Sequence, residues 1–337
     1  MTIKAQRFAL VSHPVGEPTA DDFSLETVDV ADPGPGQVLV RARYLSLDPY
    51  MRGRISGIAS YAAPTPLGSP PPGDTVSVVE VSNDPSLQPG DVVLADIGWQ
   101  TAGVIDAGAV RKLDPEIAPV TTALGVLGMP GLTAYTGLLT LGKPQPGETV
   151  VVAAATGPVG SLVGQLAKLK GARAVGIAGG PAKTEYLISE LGFDAAVDHR
   201  APSFTDDVAA AAPDGIDVYF ENVGGKVFDA VFPLLNQFGR VPVCGLVSGY
   251  NATESAPPLP GSLLRAVLSK SLTIRGFIVS EFWGQLDQFL AEVSGGIREG
   301  RIRYREDVVE GFENTPAAFA GMLRGENFGK LIVHITD

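Results

Sequence analysis

Apolar positions along the chain keep two different rhythms. Up to about residue 122 they alternate. Val38, Val40, Ala42 and Tyr44 are separated by Leu39, Arg41 and Arg43, the period of two that predicts a strand with one face inward. Val92 to Ala95 is a second such run, and DPGPG at 32–36, PPPG at 70–73 and QPGD at 88–91 punctuate the intervals. Short strands parted by Pro and Gly predict an all-β module, for which a small barrel is the natural packing solution.

From Glu148 the rhythm changes. The Val-rich run Thr149 to Ala153 predicts a strand buried on both faces. It meets the turn Ala155, Thr156, Gly157, Pro158, Val159 and Gly160, after which Val159, Leu162, Val163, Leu166 and Leu169 recur at helical spacing. Gly171 stops that helix, and Ala172 to Ala178 is the next strand. The alternation continues with strand Ala195 to Val197, helix Ser203 to Ala212, strand Asp217 to Phe220, helix Val227 to Leu235 and strand Arg240 to Cys244. Helix Leu263 to Ser269, strand Leu272 to Phe277 and a long helix Phe282 to Arg298 follow. Strands alternating with helices predict an α/β fold, a doubly wound parallel sheet of Rossmann type.

The stretch from Gly125 to Gly142 has helical spacing from Leu132 onward and leads into this sheet, so the domain boundary is placed just before it. Residues 125–299 form the expected nucleotide domain, and 1–124 with 300–337 the β domain. The last part comprises a strand Gly300 to Val309, a helix Thr315 to Arg324 and a closing strand in NFGKLIVHI.

Candidate chemistry gathers at the glycine turn. Gly157 lets a backbone approach a pyrophosphate, Pro158 has φ preset for a first helical position, and Gly160 lets the helix lie close on the strand. Amides and the dipole at that helix start favour an anion. Ala155 stands where the first Gly of GxGxxG would be, and a plain tight turn is the alternative; the order strand, turn, helix, strand favours a nucleotide. At the end of the second strand, where an NAD site places an Asp or Glu, the chain has Gly179, Gly180, Pro181, Ala182 and Lys183. That favours NADP, with Lys183 as the cation for the 2′-phosphate; a solvated surface Lys is the other reading. Later strand ends carry His199 and Arg200, Asn222 with Gly224 and Gly225, then Gly245, Ser248, Tyr250 and Asn251. In the β module, SLDPYMRGRIS at 46–56 concentrates Asp48, Tyr50, Arg52 and Arg54 in one loop, with Tyr61 nearby. Either it rims a pocket or it is a surface turn with solvated arginines.

Composition narrows the partners. With 45% hydrophobic and 18% charged residues in 337, the chain has ample core for two domains. A formal net charge of -12 argues against nucleic acid or an anionic membrane surface. Cys244 is the single cysteine, which excludes an intramolecular disulfide and a multi-cysteine zinc site and fits a reducing cytoplasm. The N-terminus lacks a long apolar segment, and the most apolar window, Gly125 to Gly142, is broken by five glycines and Pro130, so neither signal peptide nor membrane span is expected.

Taken together, SLDPYMRGR, GMPGLTAYTGLL, AATGPVG, GGPAK, FENVGG, PVCGLVSGYN and NFGK resemble the zinc-independent medium-chain dehydrogenases/reductases, in the group of prostaglandin, alkenal double-bond and curcumin reductases. The resemblance spans nearly the full length. It implies a Rossmann domain inserted in a GroES-like β-barrel domain, NADPH as reductant, a small enone or enal substrate, and a homodimer joined through the Rossmann sheets. By motif position it places Gly157, Val159 and Gly160 at the pyrophosphate, Lys183 at the 2′-phosphate, and Met129 and Thr133 beside the nicotinamide. Asn222, Cys244, Tyr250 and Asn327 would line the cofactor; Tyr50, Tyr61 and Tyr250 would border the substrate cleft, with Tyr250 or the cofactor's ribose hydroxyl the donor to the enolate oxygen. Two departures stand out: His199 where relatives have Tyr, and SPPPGDTVS at 69–77 where they have Met and Gly. A quinone reductase and a non-catalytic NADPH-binding protein are the competing readings.

Overall fold

The computed structural model of the chain describes residues 3–254 and 261–336. Two compact units divide it, Met1–Gly125 with Glu306–Asp337 and Val126–Arg305.

The first unit opens with β1 (Ile3–Leu10), β2 (Phe23–Val30), β3 (Gln37–Ser46), the short helix α1 (Met51–Arg54), β4 (Asp74–Ser82), β5 (Val92–Asp96), β6 (Ala102–Asp106) and β7 (Arg111–Lys112). In the second unit come α2 (Met129–Thr136), β8 (Thr149–Ala153), α3 (Pro158–Leu169), β9 (Arg173–Ala178), α4 (Pro181–Ser189), β10 (Ala195–Asp198) and α5 (Phe204–Ala211). They are followed by β11 (Ile216–Phe220), α6 (Gly225–Val231), β12 (Leu235–Val243), α7 (Gly261–Lys270), β13 (Thr273–Gly276) and α8 (Leu286–Arg298). The chain then returns to the first unit with β14 (Glu306–Glu310), α9 (Thr315–Leu323) and β15 (Lys330–His334).

The expected all-β module is one antiparallel pair, β1 with β2, and one seven-stranded sheet in the order β14-β15-β3-β4-β5-β7 with β6 also on β3. Its main core surrounds Trp99, whose ring stacks on Phe23 at 5.1 Å and meets Phe8 and Phe319 edge-on. In β3 the simple alternation fails. Leu39 is as buried as Val38 and Val40, because the register to β4 shifts between Leu39 and Val40 and again between Ala42 and Tyr44.

The second unit holds the parallel sheet β10-β9-β8-β11-β12-β13. This is the doubly wound order in which the winding reverses between β8 and β11. Every residue of β8 is buried. Val151, Ala153, Val175, Ile177 and Tyr219 pack on α5 and α6, while α3 and α4 cover the other face, so closely that a Cβ on Gly164 would stand 1.9 Å from the Phe193 ring.

Local chemistry moved several predicted boundaries. The helix expected to reach Leu235 ends at Val231, because Pro233 lacks the N–H to extend it and the chain tightens into a 3-10 turn at Phe232–Leu234. β12 then starts at Leu235 rather than Arg240, with a register irregularity near Phe238 (φ 63°). The helix expected from Phe282 is 3-10 over Val279–Gln285, where the Glu281 carboxylate accepts the Ile278 amide at 2.8 Å, and becomes α-helical from Leu286. The strand expected from Gly300 begins at Glu306. Residues 300–303 instead close α8, and the Arg303 amide donates to Gln165 Oε1 at 2.7 Å. The helical run expected from Leu132 starts at Met129 and passes into a π-helical stretch at Gly137–Gly142.

Candidate active site

The glycine turn stands at the C-terminal end of β8, beside the reversal of sheet order. Gly157 has extended backbone (φ -73°, ψ 170°) and opens α3 with Pro158 in the first turn and no side-chain cap, which leaves the first-turn amides to an anion. A Cβ at Gly160 would stand 2.5 Å from the Ala154 carbonyl oxygen, so glycine is required for the helix to lie this close. The left-handed residue of the turn is Ala154 (φ 51°), one before the position where the nucleotide fingerprint has its first Gly. In α2, buried Thr133 donates to the Met129 carbonyl at 2.8 Å, so its hydroxyl is tied to its own helix.

At the ends of β9 and β10 lies a cationic corner. A Cβ at Gly179 would stand 2.8 Å from both Arg200 Nε and His199 Nε2, and Gly180 has φ 90°. The absence of an acid at the end of the second strand holds for β9 itself, but Asp198 of β10 reaches the same place. Its Oδ1 accepts the Gly180 and Arg200 amides, each at 2.8 Å. With those bonds made, Asp198 is occupied as an acceptor for backbone. Lys226 donates to the His199 carbonyl at 2.8 Å. Burial, then the Lys226 and Arg200 charges, lower the His199 pKa, so the ring is neutral at pH 7; its Nδ1 is buried with no hydrogen-bond partner among the described residues. Arg200 and Lys226 thus add charge beside His199 that the sequence reading left unassigned. Glycine backbone, two flanking cations and a helix start fit a phosphorylated dinucleotide.

Two loops beyond β11 and β12 are stitched together by Glu221, which is 1% exposed. Its Oε1 accepts the Val223 and Gly224 amides at 2.6 and 2.9 Å, its Oε2 accepts the Tyr219 hydroxyl at 2.9 Å, and its carbonyl accepts the Cys244 and Gly245 amides. Burial raises its pKa against the pull of those amides. Asn222 donates to the Ala153 carbonyl at 2.8 Å, fixing the end of β11 to the end of β8. Cys244 carries a thiol pushed up to about 12 by burial and by Glu221, so it is protonated and unreactive at neutral pH. The Tyr250 hydroxyl lies 3.2 Å from where a Cβ on Gly245 would stand, so glycine there makes room for the phenol. The structure therefore brings Asn222, Cys244, Gly245 and Tyr250 together.

In the first unit the 46–56 segment is a turn that runs into the one-turn helix α1, and its arginines are engaged by backbone carbonyls. Met51 and Ile55 enter the Trp99 core, and Arg52, 4% exposed, donates to the Pro14 and Gly16 carbonyls at 3.1 and 2.8 Å. Arg54 donates to the Ala63 carbonyl at 2.9 Å. Tyr50 is half-buried; burial and then Asp48, Asp74 and Asp96 raise its pKa far above the ordinary phenol value, and Tyr61 adds to this although it is 59% exposed. Asn327 donates to the Gly329 carbonyl at 2.9 Å. Asp48 is buried against Lys330, whose Nζ donates to Asp48 Oδ1 and to the Leu47 carbonyl, each at 2.7 Å. No motif reading signalled that pair. Among the described residues no group of three His, Cys, Asp or Glu is placed to hold a metal ion, and no helix is long and apolar enough to cross a membrane.

Sheet order and turn define the class, a Rossmann-type dinucleotide-binding protein with an N-terminal β domain. Residues 6–113 match the family described as "N-terminal domain of oxidoreductase" and residues 158–295 the one described as "Zinc-binding dehydrogenase". The chain is 51% identical to the NADPH-dependent curcumin reductase of Escherichia coli K12, over 98% of this chain and 96% of that one. It is 41% identical to prostaglandin reductase 1 of Rattus norvegicus, over 98% and 99%. The crystal structure of CurA from Vibrio vulnificus in complex with NADPH superposes with a TM-score of 0.95 at 48% identity, over 98% and 99%. The chain belongs to the zinc-independent medium-chain dehydrogenases/reductases, in the group of the curcumin and prostaglandin reductases.

The acidic cluster of the first unit sets a pH dependence. Asp74 on β4 stands directly opposite Asp96 on β5. Burial, then Asp96 and Asp48, push Asp74 up to about 7, against Lys330 and Arg111. Its folded pKa lies above its ordinary 3.8, so folding takes up a proton between about pH 4 and 7 and stability falls as pH rises through that window. Asp74→Asn removes this slope. The melting temperature of the variant relative to wild type should rise from pH 5 to pH 8, on the order of 2–4 °C; a difference constant with pH would mean that Asp74 does not carry the proton.

Proposed function

We propose that the protein is an NADPH-dependent reductase of the C=C bond in α,β-unsaturated ketones and aldehydes, working without a metal. The full-length likeness to a protein named NADPH-dependent curcumin reductase carries this reading, and the geometry agrees with it. The α3 start with Gly157, Pro158, Val159 and Gly160 holds the pyrophosphate, while Gly180, Lys183, His199 and Arg200 hold the 2′-phosphate. Met129, Thr133, Asn222, Cys244, Gly245 and Tyr250 line the rest of the nucleotide, and the β domain contributes Asn327 to it and Tyr50 and Tyr61 to the substrate. Residues 1–125 with 306–337 then serve as the substrate domain and 126–305 as the nucleotide domain. A single cysteine, with no second one in the sequence to form a disulfide, supports a cytoplasmic setting.

When bound, NADPH supplies the hydride that an enone accepts at its β-carbon. The conjugated carbonyl makes that carbon electrophilic, so a Lewis acid is not needed to activate it. What the chain must supply is a donor where charge collects on the carbonyl oxygen. Tyr250 is that donor, its phenol O–H directed at the oxygen. The α-carbon then takes a proton from solvent, which completes the reduction.

Such a protein is a homodimer joined along β13. That strand is one edge of the parallel sheet, all four of its residues are exposed, and Leu268 of neighbouring α7 is 82% exposed. An unpaired edge beside exposed leucines favours a second copy. Ile274→Lys should shift the protein from dimer to monomer in sedimentation velocity, whereas a wild-type monomer would remove this reading.

Lys183→Ala should weaken NADPH by about 1–3 kcal/mol and leave NADH nearly unchanged, since the charge-assisted contact to the 2′-phosphate is one that NADH cannot make. Equal losses for both cofactors would take Lys183 away from the phosphate. The function itself is tested by NADPH oxidation with a panel of enones and enals, and Tyr250→Phe should slow single-turnover hydride transfer by roughly 10 to 1000-fold with little change in NADPH binding. An unaltered single-turnover rate leaves Tyr250 as a packing residue.

A further inference from the structure

The strand pair β3 and β15 ends in an unusual way. Its antiparallel ladder runs from Tyr44 opposite His334 to Ser46 opposite Ile332, and the Leu47 amide still donates to the Leu331 carbonyl at 3.2 Å. There the backbone ladder stops and a side chain takes over. The Lys330 ammonium, in a residue 2% exposed, donates to the Leu47 carbonyl and to Asp48 Oδ1, both at 2.7 Å, while the Ser46 hydroxyl donates to Asp48 Oδ2. Its stem is confined as well: a Cβ on Gly125 would stand 3.1 Å from Lys330 Cγ.

Stability alone is a poor account of this pair. Taking two charges out of water offsets most of their attraction, and apolar replacements of buried pairs are often neutral or stabilising. What the pair does is join two turns by their side chains just beyond the last backbone bond of the ladder, the Leu47 amide to the Leu331 carbonyl. Asp48 opens the turn that carries Tyr50, its carbonyl accepting the Met51 amide at 3.1 Å. Lys330 closes the turn that carries Asn327, whose side chain donates to the Gly329 carbonyl. Asp48 and Lys330 are 282 positions apart in the chain.

We propose that the buried Asp48–Lys330 ion pair is a positioning element, one contact that fixes the turn bearing Tyr50 to the turn bearing Asn327. Through it, loss of either partner reaches both the substrate-side phenol and the cofactor-side amide. The assignment of Tyr50 to substrate and Asn327 to NADPH rests on the function proposed above.

The test is a double-mutant cycle on the full-length protein with Asp48→Asn, Lys330→Met and the two combined. Amide hydrogen exchange over residues 47–56 and 326–331, the NADPH dissociation constant from nicotinamide fluorescence, kcat/KM for an enone and the melting temperature are followed together. Each single change should speed exchange in both segments while the parallel sheet of the other unit keeps its protection. Each should also weaken NADPH and lower kcat/KM by about 10 to 100-fold, the effect of a misplacement on the order of 1 Å. The double variant, which buries no unpaired charge, should recover melting temperature but not exchange protection or NADPH affinity, and its losses should be no greater than those of the worse single. The proposal is overturned if each change loosens only its own segment, if the two losses add, or if NADPH affinity returns with melting temperature. Should Lys330→Met not fold, Asp48→Asn decides alone: faster exchange at 326–331 supports the joint and unchanged exchange refutes it. A wild-type protein that reduces no enone would sink the proposed function, while the exchange readout would still decide this inference.

Discussion

A parallel sheet buried on both faces leaves only the ends of its strands for chemistry, and the centre of the second unit's sheet obeys that constraint. β8 has no exposed residue, so nothing along its length can meet a ligand. The residues with chemical potential, Asn222, Cys244, Gly245 and Tyr250, all follow the C-terminal ends of β11 and β12, of which β11 borders the reversal in winding. Their precision depends on Glu221 beneath them. A carboxylate that accepts two amides and a phenol, and whose carbonyl accepts two amides from the neighbouring loop, leaves those loops little freedom.

An acidic protein that holds a phosphorylated dinucleotide must do so by local means. The formal charge of -12 repels an anion at long range, although screening limits that to about a Debye length, roughly 8 Å at physiological salt. Inside that distance the Gly179–Gly180 corner has Arg200 and Lys226 for neighbours, and the acid beside it, Asp198, is engaged by the Gly180 and Arg200 amides. Occupying Asp198 in this way keeps its lone pairs directed at backbone.

Legibility in the sequence followed the range of the interactions involved. β8, the glycine turn, α3 and β9 were readable because their causes are neighbours in the chain: a Val-rich run, Pro158 at a helix start, apolar residues at helical spacing. The late start of β14, the early end of α6 and the 3-10 entry to α8 were not, since each turns on a hydrogen bond or a proline that the apolar pattern does not encode. Arg52 looked solvated because its partners, the Pro14 and Gly16 carbonyls, lie far back in the sequence. Asp198 was invisible as a neighbour of Gly180 until strand pairing put β10 beside β9. The buried Asp48 and Lys330 sit in motifs whose tyrosine and asparagine drew the eye, and only the fold brings the two charges together.

Because β3 pairs with β15, the first unit is assembled from the two extremes of the chain, and this carries a consequence for biosynthesis. At about 5–20 residues per second, a ribosome that has finished β3 needs roughly 15–60 s to deliver β15. Throughout that interval the Tyr44–Ser46 end of β3, beyond the stretch that β6 pairs, lacks its neighbour on that side, and the Trp99 core lacks Phe312, Phe319 and Met322. The Rossmann unit, contiguous from Val126 to Arg305, has every strand it needs before the last thirty-odd residues emerge. The nucleotide unit can thus be complete while the β unit still waits for its final segment, so truncation or stalling near the C-terminus leaves the Tyr44–Ser46 end of β3 and the Trp99 core unfinished.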